Sequence, residues 1–231
     1  MDPNSIAVIP LGVDSEYFFE QESERQETIF FNCGKWEVRK GHDVLVEAFN
    51  RAFEEDDNVE LWMMCENPFL SEIESYEWDR MYKTSKLGNK IRLIPRQDEQ
   101  VGVSDIIRMT DCGVFPSRGE GWNLELLEMM ACGKHVIATN NTGHTEFVND
   151  ENCMLIDCSY SEVAMDGKWF SGQGNWSVVG EPLIEQIVEH MREIHRTKQG
   201  GGLGLNKAGI ETASHYSWHR TAEAIVNALS P

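Results

Sequence analysis

The sequence has no run of about 18 apolar residues, the length a helix needs to cross a bilayer. Its first residues carry no apolar signal core either. Basic residues are scarce: 20 Lys and Arg stand against 39 Asp and Glu, a formal charge of −19. That balance excludes general affinity for nucleic acid or anionic membrane, both of which need a basic surface. Any phosphate site must therefore be local and built against the overall field. The six cysteines include no C-x-x-C pair and mostly sit in apolar runs, so they read as reduced thiols in the core of a cytoplasmic protein. No metal site is expected. The seven histidines make no ligand pair with cysteine at useful spacing, and Asp56-Asp57 in "EEDDN" lacks the D-x-D spacing. "GKWEVRKG" lacks the Walker A spacing, and there is no internal repeat. What is present is apolar content of 41 % over 231 residues, enough for one large domain or one and a half, with a sizeable core.

Short apolar runs alternate with helical periods. Strands are expected at Ile6–Pro10, Thr28–Cys33 ("TIFFNC"), Val59–Met64, Lys90–Ile94, Gly113–Pro116, His135–Thr139 and Met154–Ile156. Between them, Gly41–Phe53 reads as an amphipathic helix with Val44, Leu45, Ala48 and Phe49 inward. Residues 71–85 read as a very polar helix, and Asp105–Thr110 and Leu124–Cys132 as shorter ones. This alternation specifies an α/β fold, a single Rossmann-like, doubly wound parallel sheet. Residues 159–180 fit neither period and read as an ordered loop rich in Trp and Gly. From residue 181 the chain is all helix, interrupted by "QGGGLG". The expected organisation is a linker and first strand over 1–18, the Rossmann-like domain over 19–180, and C-terminal helices packing on it over 181–231.

In doubly wound folds ligands bind at the carboxyl ends of the strands. Two unusual loops occupy such positions. The first follows "TIFFNC" and runs from Gly34 to Gly41, with Lys35, Arg39 and Lys40 among its eight residues. The second, "PSRGEGWNLELLE", holds Glu120 and Glu128 with seven residues between them. Its backbone N–H groups at Gly121, Trp122, Asn123 and Leu124 fall at a helix N-terminus, where free donors and the helix dipole favour an anion. Glu128 lies in an otherwise apolar run, where an unpartnered carboxylate is costly, so it must reach water or serve a partner. A carboxylate one turn into this helix is placed to accept hydrogen bonds from the hydroxyls of a ribose, as the acidic residue of dinucleotide-binding folds does. Read singly, each residue has a plainer explanation: solvated loop lysines, a helix-capping glutamate, a half-exposed helix glutamate. His144, beside Gly143, is the one histidine placed near these loops.

The stretch "PSRGEGWNLELLEMMACGKHVIATNNTGHTE" resembles the E-x7-E signature of retaining GT-B glycosyltransferases, the GT4 group in particular. "VIPLGVDSEYF" resembles the family's inter-domain linker, "GKWEVRKGHDVLVEAF" its Gly-rich cationic loop, and "YSWHRTAEAIVNAL" its C-terminal helix. The resemblance covers the chain except for about 66–90 and 159–180.

The resemblance implies the C-terminal domain of such an enzyme, binding a UDP- or GDP-sugar with no cofactor and no metal. On matching positions, Lys40 corresponds to the diphosphate-binding lysine, and Lys35 stands where the family usually has arginine. Lys35, Lys40 and Glu120 are the residues to which catalysis is assigned, Glu120 holding donor-sugar hydroxyls. Gly34, Lys35, Lys40 and residues 121–124 are expected at the diphosphate and Glu128 at the ribose. Backbone groups near Ile94 and Arg96 are expected at the base. Asn123 replaces a glycine, adding a side chain at the sugar pocket. The resemblance also implies a missing N-terminal domain, supplied in cis or in trans. The competing readings are a non-catalytic nucleotide-sugar-binding or interaction module and a GT-B epimerase.

Overall fold

The segment "TIFFNCG" has all but its last residue buried, so it cannot lie at an edge and must be covered on both faces, as the central strand of a parallel sheet is. In the computed structural model, which describes residues 6–229, it is β1 (Thr28–Gly34). The other strands of its sheet are β2 (Val59–Cys65), β3 (Ile91–Leu93), β4 (Cys112–Phe115), β5 (His135–Thr139) and β6 (Met154–Ile156). Their order is β3-β2-β1-β4-β5-β6, and every pair is parallel. The winding direction reverses between β1 and β4, so the helices that follow these two strands lie on opposite faces of the sheet and leave a crevice at the strands' carboxyl ends.

Alternate residues of each strand feed two cores. Phe30, Leu61, Met63, Val114, Ile137 and Ile156 meet helices α1 (His42–Ala52), α2 (Glu72–Lys83) and α5 (Glu181–Gln199) on one face. Phe31, Trp62, Met64, Phe115, Val136 and Ala138 meet α3 (Gln100–Arg108) and α4 (Leu124–Ala131) on the other. The apolar face of α1 is the one its periodicity predicts, with Val44, Leu45, Ala48 and Phe49 buried. Helix α6 (Lys207–Ser214) packs against α4, and α7 (Trp218–Leu229) ends the described chain. Leu183, Ile184, Ile187 and Met191 of α5 belong to the core of the sheet itself, so this helix is integral to the domain. Among the described residues no helix is long and apolar enough to cross a membrane.

Three expectations need correction. There is no strand at Ile6–Pro10: the segment pairs with no strand of either sheet, and Ile6 and Val8 are exposed. The chain docks instead by its Pro10 carbonyl, which accepts the Thr221 hydroxyl at 2.8 Å, and by Val13, which bridges to Ser217 and donates its N–H to the Tyr216 carbonyl at 3.0 Å. Residues 1–5 of the expected linker and 230–231 of the C-terminal segment lie outside the described residues. Helix α3 starts at Gln100 rather than Asp105, because Val103, Ile106 and Ile107 together form its packed face. The segment 159–180 is not a loop but an antiparallel hairpin, β7 (Ser161–Met165) and β8 (Ser171–Ser177). Its turn is held by the Asp166 carboxylate, which accepts the N–H groups of Lys168, Trp169 and Phe170 at 2.8–2.9 Å. Only Ala164, Trp176 and Ser177 of its strands are buried, so no alternating apolar pattern marks it in the sequence.

At the amino end of the sheet, Asp111 ties three elements together. Its Oδ2 accepts the Ile29 N–H at 2.7 Å and the Lys198 Nζ at 2.6 Å, joining the start of β4 to β1 and α5. Both side chains are largely buried, at 5 % and 12 % exposure. Removing one partner of a buried pair strands the other charge. Lys198→Met is expected to lower unfolding free energy by about 3 kcal/mol in urea titrations, and the added change Asp111→Asn to recover most of that loss.

Candidate functional site

The crevice at the β1/β4 reversal is built by two loops pressed together. The β1 loop closes at Gly41, whose φ is 72° and where a Cβ would lie 2.0 Å from the Pro116 carbonyl oxygen of the β4 loop. No residue but glycine fits that approach. Trp36 anchors the β1 loop from beneath, stacked on Trp78 of α2 at 5.4 Å. Arg118 anchors the β4 loop: its guanidinium forms two 2.8 Å bonds to the Asp43 carboxylate at the start of α1, and its N–H reaches the Arg39 carbonyl at 2.7 Å. The β7–β8 hairpin braces the same loop through the Ser177 N–H, which donates to the Arg118 carbonyl at 2.8 Å.

Across the seam lies a chain of charges. Lys40 Nζ donates to Glu120 Oε1 at 3.2 Å and to Glu125 Oε1 at 3.0 Å. Arg39 donates to Glu120 Oε2 at 2.7 Å, to the Gly119 carbonyl at 2.6 Å and to Glu37 at 3.0 Å. Ser117 Oγ adds a third side-chain donor to Glu120, at 2.8 Å. Burial on its own would raise the Glu120 pKa, but Lys40 and Arg39 outweigh it and hold the carboxyl below its usual range. Burial would likewise lower Lys40, yet Glu125 and then Glu120 hold it above the usual lysine range. The two charges keep each other ionised.

The cleft beside this cluster has a volume of about 560 Å³. Cys33, Met64 and Val103 line its apolar part, and Gly34, Lys35, Lys40, Arg96, Glu120, Glu125 and Glu128 also border it. Lys35 makes no ion pair among the described residues; its Nζ lies 5.1 Å from the centre of the Phe69 ring. The Glu128 carboxyl has neither a hydrogen bond nor an ion pair among the described residues and faces this cleft. Burial, and then the neighbouring Glu125, pushes its carboxyl up to about 8. The Ile94 N–H is taken by the Met63 carbonyl at 2.8 Å as a continuation of the sheet, so only Arg96 of the expected base-side pair borders the cleft.

Helix α4 begins beside the cluster. Asn123 has φ 73° and caps the helix, its Oδ1 accepting the Leu126 N–H at 3.3 Å. A left-handed residue is needed here, a conformation asparagine adopts more readily than most residues other than glycine. The Oδ1 of Asn123 serves the cap, its Nδ2 is buried without a partner among the described residues, and the side chain does not line the cleft as expected. The N–H groups of Gly121, Trp122, Asn123 and Leu124 meet no protein acceptor among the described residues, which leaves four donors at the positive end of the helix. Trp122 turns away from the cleft to pack on Phe147 and Tyr216. The turn is held from behind by Thr142 Oγ1, which accepts the Glu120 N–H at 2.8 Å, and by the Gly143 N–H, which donates to the Glu120 carbonyl at 3.0 Å. A Cβ at Gly143 would lie 2.1 Å from the Gly121 carbonyl oxygen. His144 is fully buried behind that turn, its Nε2 on the Thr139 carbonyl, and does not reach the cleft.

Residues 27–165, more than half of the chain, match the family described as glycosyl transferases group 1. The chain belongs to that family. It also has the fold of the C-terminal domain of a GT-B protein: the C-terminal domain of LpcC, a group 1 glycosyl transferase from Francisella tularensis, superposes with a TM-score of 0.66 at 18 % identity, over 88 % of this chain and 97 % of that domain. HepE of Anabaena, whose structure was determined with UDP and glucose, superposes with a TM-score of 0.71 at 15 % identity, over 96 % of this chain and 56 % of HepE. EpsD of Bacillus subtilis (strain 168), provisionally named a glycosyltransferase, is 30 % identical over 129 residues, 55 % of this chain. The chain spans only 28 % of the length of EpsD.

Within this group 1 glycosyltransferase chain, the structure brings Gly34, Lys35, Lys40, Glu120, Glu128 and Arg96 around one cleft. It leaves Ile94 and the residues 121–124 outside the lining, the latter with their N–H groups free. Sequence reasoning missed Arg39 as a partner of Glu120 and Glu125 as a partner of Lys40. Arg39 carried a signal, as the third cation of the loop. Glu125 carried none, because an acidic residue in the first turn of a helix reads as a dipole partner.

The raised Glu128 carboxyl has a consequence for stability. The folded protein holds this proton between the usual value of 4.5 and about 8, where the unfolded chain has released it. The associated stability is complete below the ordinary glutamate range and is lost as pH rises toward 8. Glu128→Gln removes that loss. The melting-temperature difference, variant minus parent, is expected to grow between about pH 5 and about pH 8; a constant difference in thermal melts would contradict it.

Proposed function

We propose that this chain is the donor-binding half of a retaining, metal-independent, GT4-type glycosyltransferase that takes a UDP- or GDP-sugar. The observation that carries the reading is the meeting, at one sheet reversal, of a cationic loop, four free N–H groups at a helix start and a partnerless carboxyl. In this reading Lys40, Lys35 and the N–H groups of residues 121–124 hold the diphosphate. They stabilise it as the leaving group where negative charge develops. Glu128 accepts the hydroxyls of the ribose. Glu120, fixed by Lys40, Arg39 and Ser117, is too constrained to act as a nucleophile and orients the sugar instead. Departure and attack then take place on the same face of the sugar, with a diphosphate oxygen receiving the acceptor's proton. Arg96 and the backbone beside it face the base.

UDP and glucose are the molecules named with HepE, and they are of the ligand class proposed here. Positive groups and helix-terminal donors do the work that a divalent cation does elsewhere. An N-terminal acceptor domain, in cis or in trans, completes the cleft; residues 1–18 lead to it, and 19–231 form the donor half. Six unpaired cysteines favour a reducing, cytoplasmic location.

Calorimetry with UDP and GDP tests the reading. Binding is expected in the presence of EDTA as well as Mg²⁺, and loss of binding on chelation would end the metal-free assignment. Lys40→Ala is expected to weaken binding by about 1.5–3 kcal/mol, the range for a hydrogen bond to a charged group.

A further inference from the structure

Lys40 is already occupied. Its ammonium bonds to two carboxylates, Glu120 at 3.2 Å and Glu125 at 3.0 Å, and these two are not held alike. Glu120 is 6 % exposed and fixed on both oxygens by Lys40, Ser117 and Arg39. Glu125 is 28 % exposed, and Lys40 is its one side-chain partner among the described residues. Its Oε1 also lies against Gly34, 3.2 Å from where a Cβ there would stand. It thus reaches from the first turn of α4 across the cleft to the β1 loop. Around Lys40 and Arg39 stand the carboxylates of Glu37, Glu120 and Glu125, one negative charge more than the cations neutralise. A diphosphate entering that cluster meets repulsion unless one carboxylate leaves. Of the two carboxylates on Lys40, Glu125 is the one free to do so, by a side-chain rotation into water that breaks a single ion pair.

We propose that Glu125 is a built-in competitor for the anion site: it occupies Lys40 in the empty protein, is displaced when a phosphate group takes its place, and so sets the affinity for the nucleoside diphosphate. The proposal rests on the reading that this cleft takes such a ligand. It makes an unusual demand, that removing a carboxylate from an ion pair should improve the site rather than damage it. The two negative groups compete for the same donor, and substitution of Glu125 releases that donor without disturbing Glu120.

The test is calorimetry of UDP and GDP, with uridine and guanosine as controls lacking phosphate, on the parent chain, Glu125→Gln, Lys40→Ala and the double variant. Circular-dichroism melts establish that each is folded. Glu125→Gln is expected to bind the diphosphate roughly five-fold tighter, the equivalent of one partly exposed ion pair, and the nucleosides with a clearly smaller gain, because Glu125 reaches the ribose side only through its charge on Glu128. In the Lys40→Ala background the same substitution is expected to gain nothing, because no ammonium remains to be released. Equal or weaker diphosphate binding by folded Glu125→Gln, or an equal gain with Lys40 absent, would overturn the proposal while leaving the donor-site reading intact. Diphosphate binding by none of the four proteins would overturn both.

Discussion

The ion cluster joining Lys40 and Arg39 to Glu120 is the constraint on which the rest of the site depends. It spans the seam between the β1 and β4 loops, where a doubly wound sheet opens a crevice and packs no side chains of its own. Each of its charges would be expensive in isolation at this depth. Together they satisfy one another: Glu120 receives Lys40, Arg39 and Ser117, and its backbone is fixed by Thr142 and Gly143. The result is a rigid acidic centre in a cationic collar, with Glu125 the more loosely held of the two carboxylates on Lys40.

Much of the surrounding architecture keeps this seam closed. Gly41 lets the two loops touch, and Arg118 ties the β4 loop to Asp43 at the head of α1. Asn141 donates to the carbonyls of Ser117 and Arg118 at 3.1 and 3.0 Å and to Ser177 of the hairpin at 2.7 Å. At its far end the hairpin pairs Lys168 with Glu74 of α2 at 2.6 Å, and Trp169 meets the ring of Phe69, on which Lys35 rests. The hairpin therefore contacts the β4 loop at one end and residues 69–74 at the other. Its polar surface is consistent with a brace held by its ends rather than by a core.

The sheet was legible in the sequence because its central strands are continuous apolar runs and its helices keep a clear period; β1 and α1 are the plainest cases. The two loops were legible as well, since a cation cluster in an acidic chain and a pair of glutamates seven residues apart stand out against composition. The hairpin was not, because Ser, Gly, Gln and Asn dominate β8 and its pairing is supplied by hydrogen bonds that leave no apolar signature. The strand expected at Ile6–Pro10 failed for the opposite reason: the residue pattern was suitable, but the segment pairs with no strand of either sheet. Glu125 was missed because its role depends on a contact with a residue 85 positions away, which no local pattern encodes.

The central claim is that the β1/β4 crevice holds a diphosphate between the Lys40 collar and the start of α4. The most direct measurement is a crystal structure of the chain with UDP or GDP bound. The account predicts phosphate oxygens within hydrogen-bond distance of Lys40 and of N–H groups in residues 121–124, and the ribose hydroxyls on Glu128. A nucleotide seated elsewhere on the molecule, or one in the crevice that touches neither Lys40 nor those N–H groups, would contradict it.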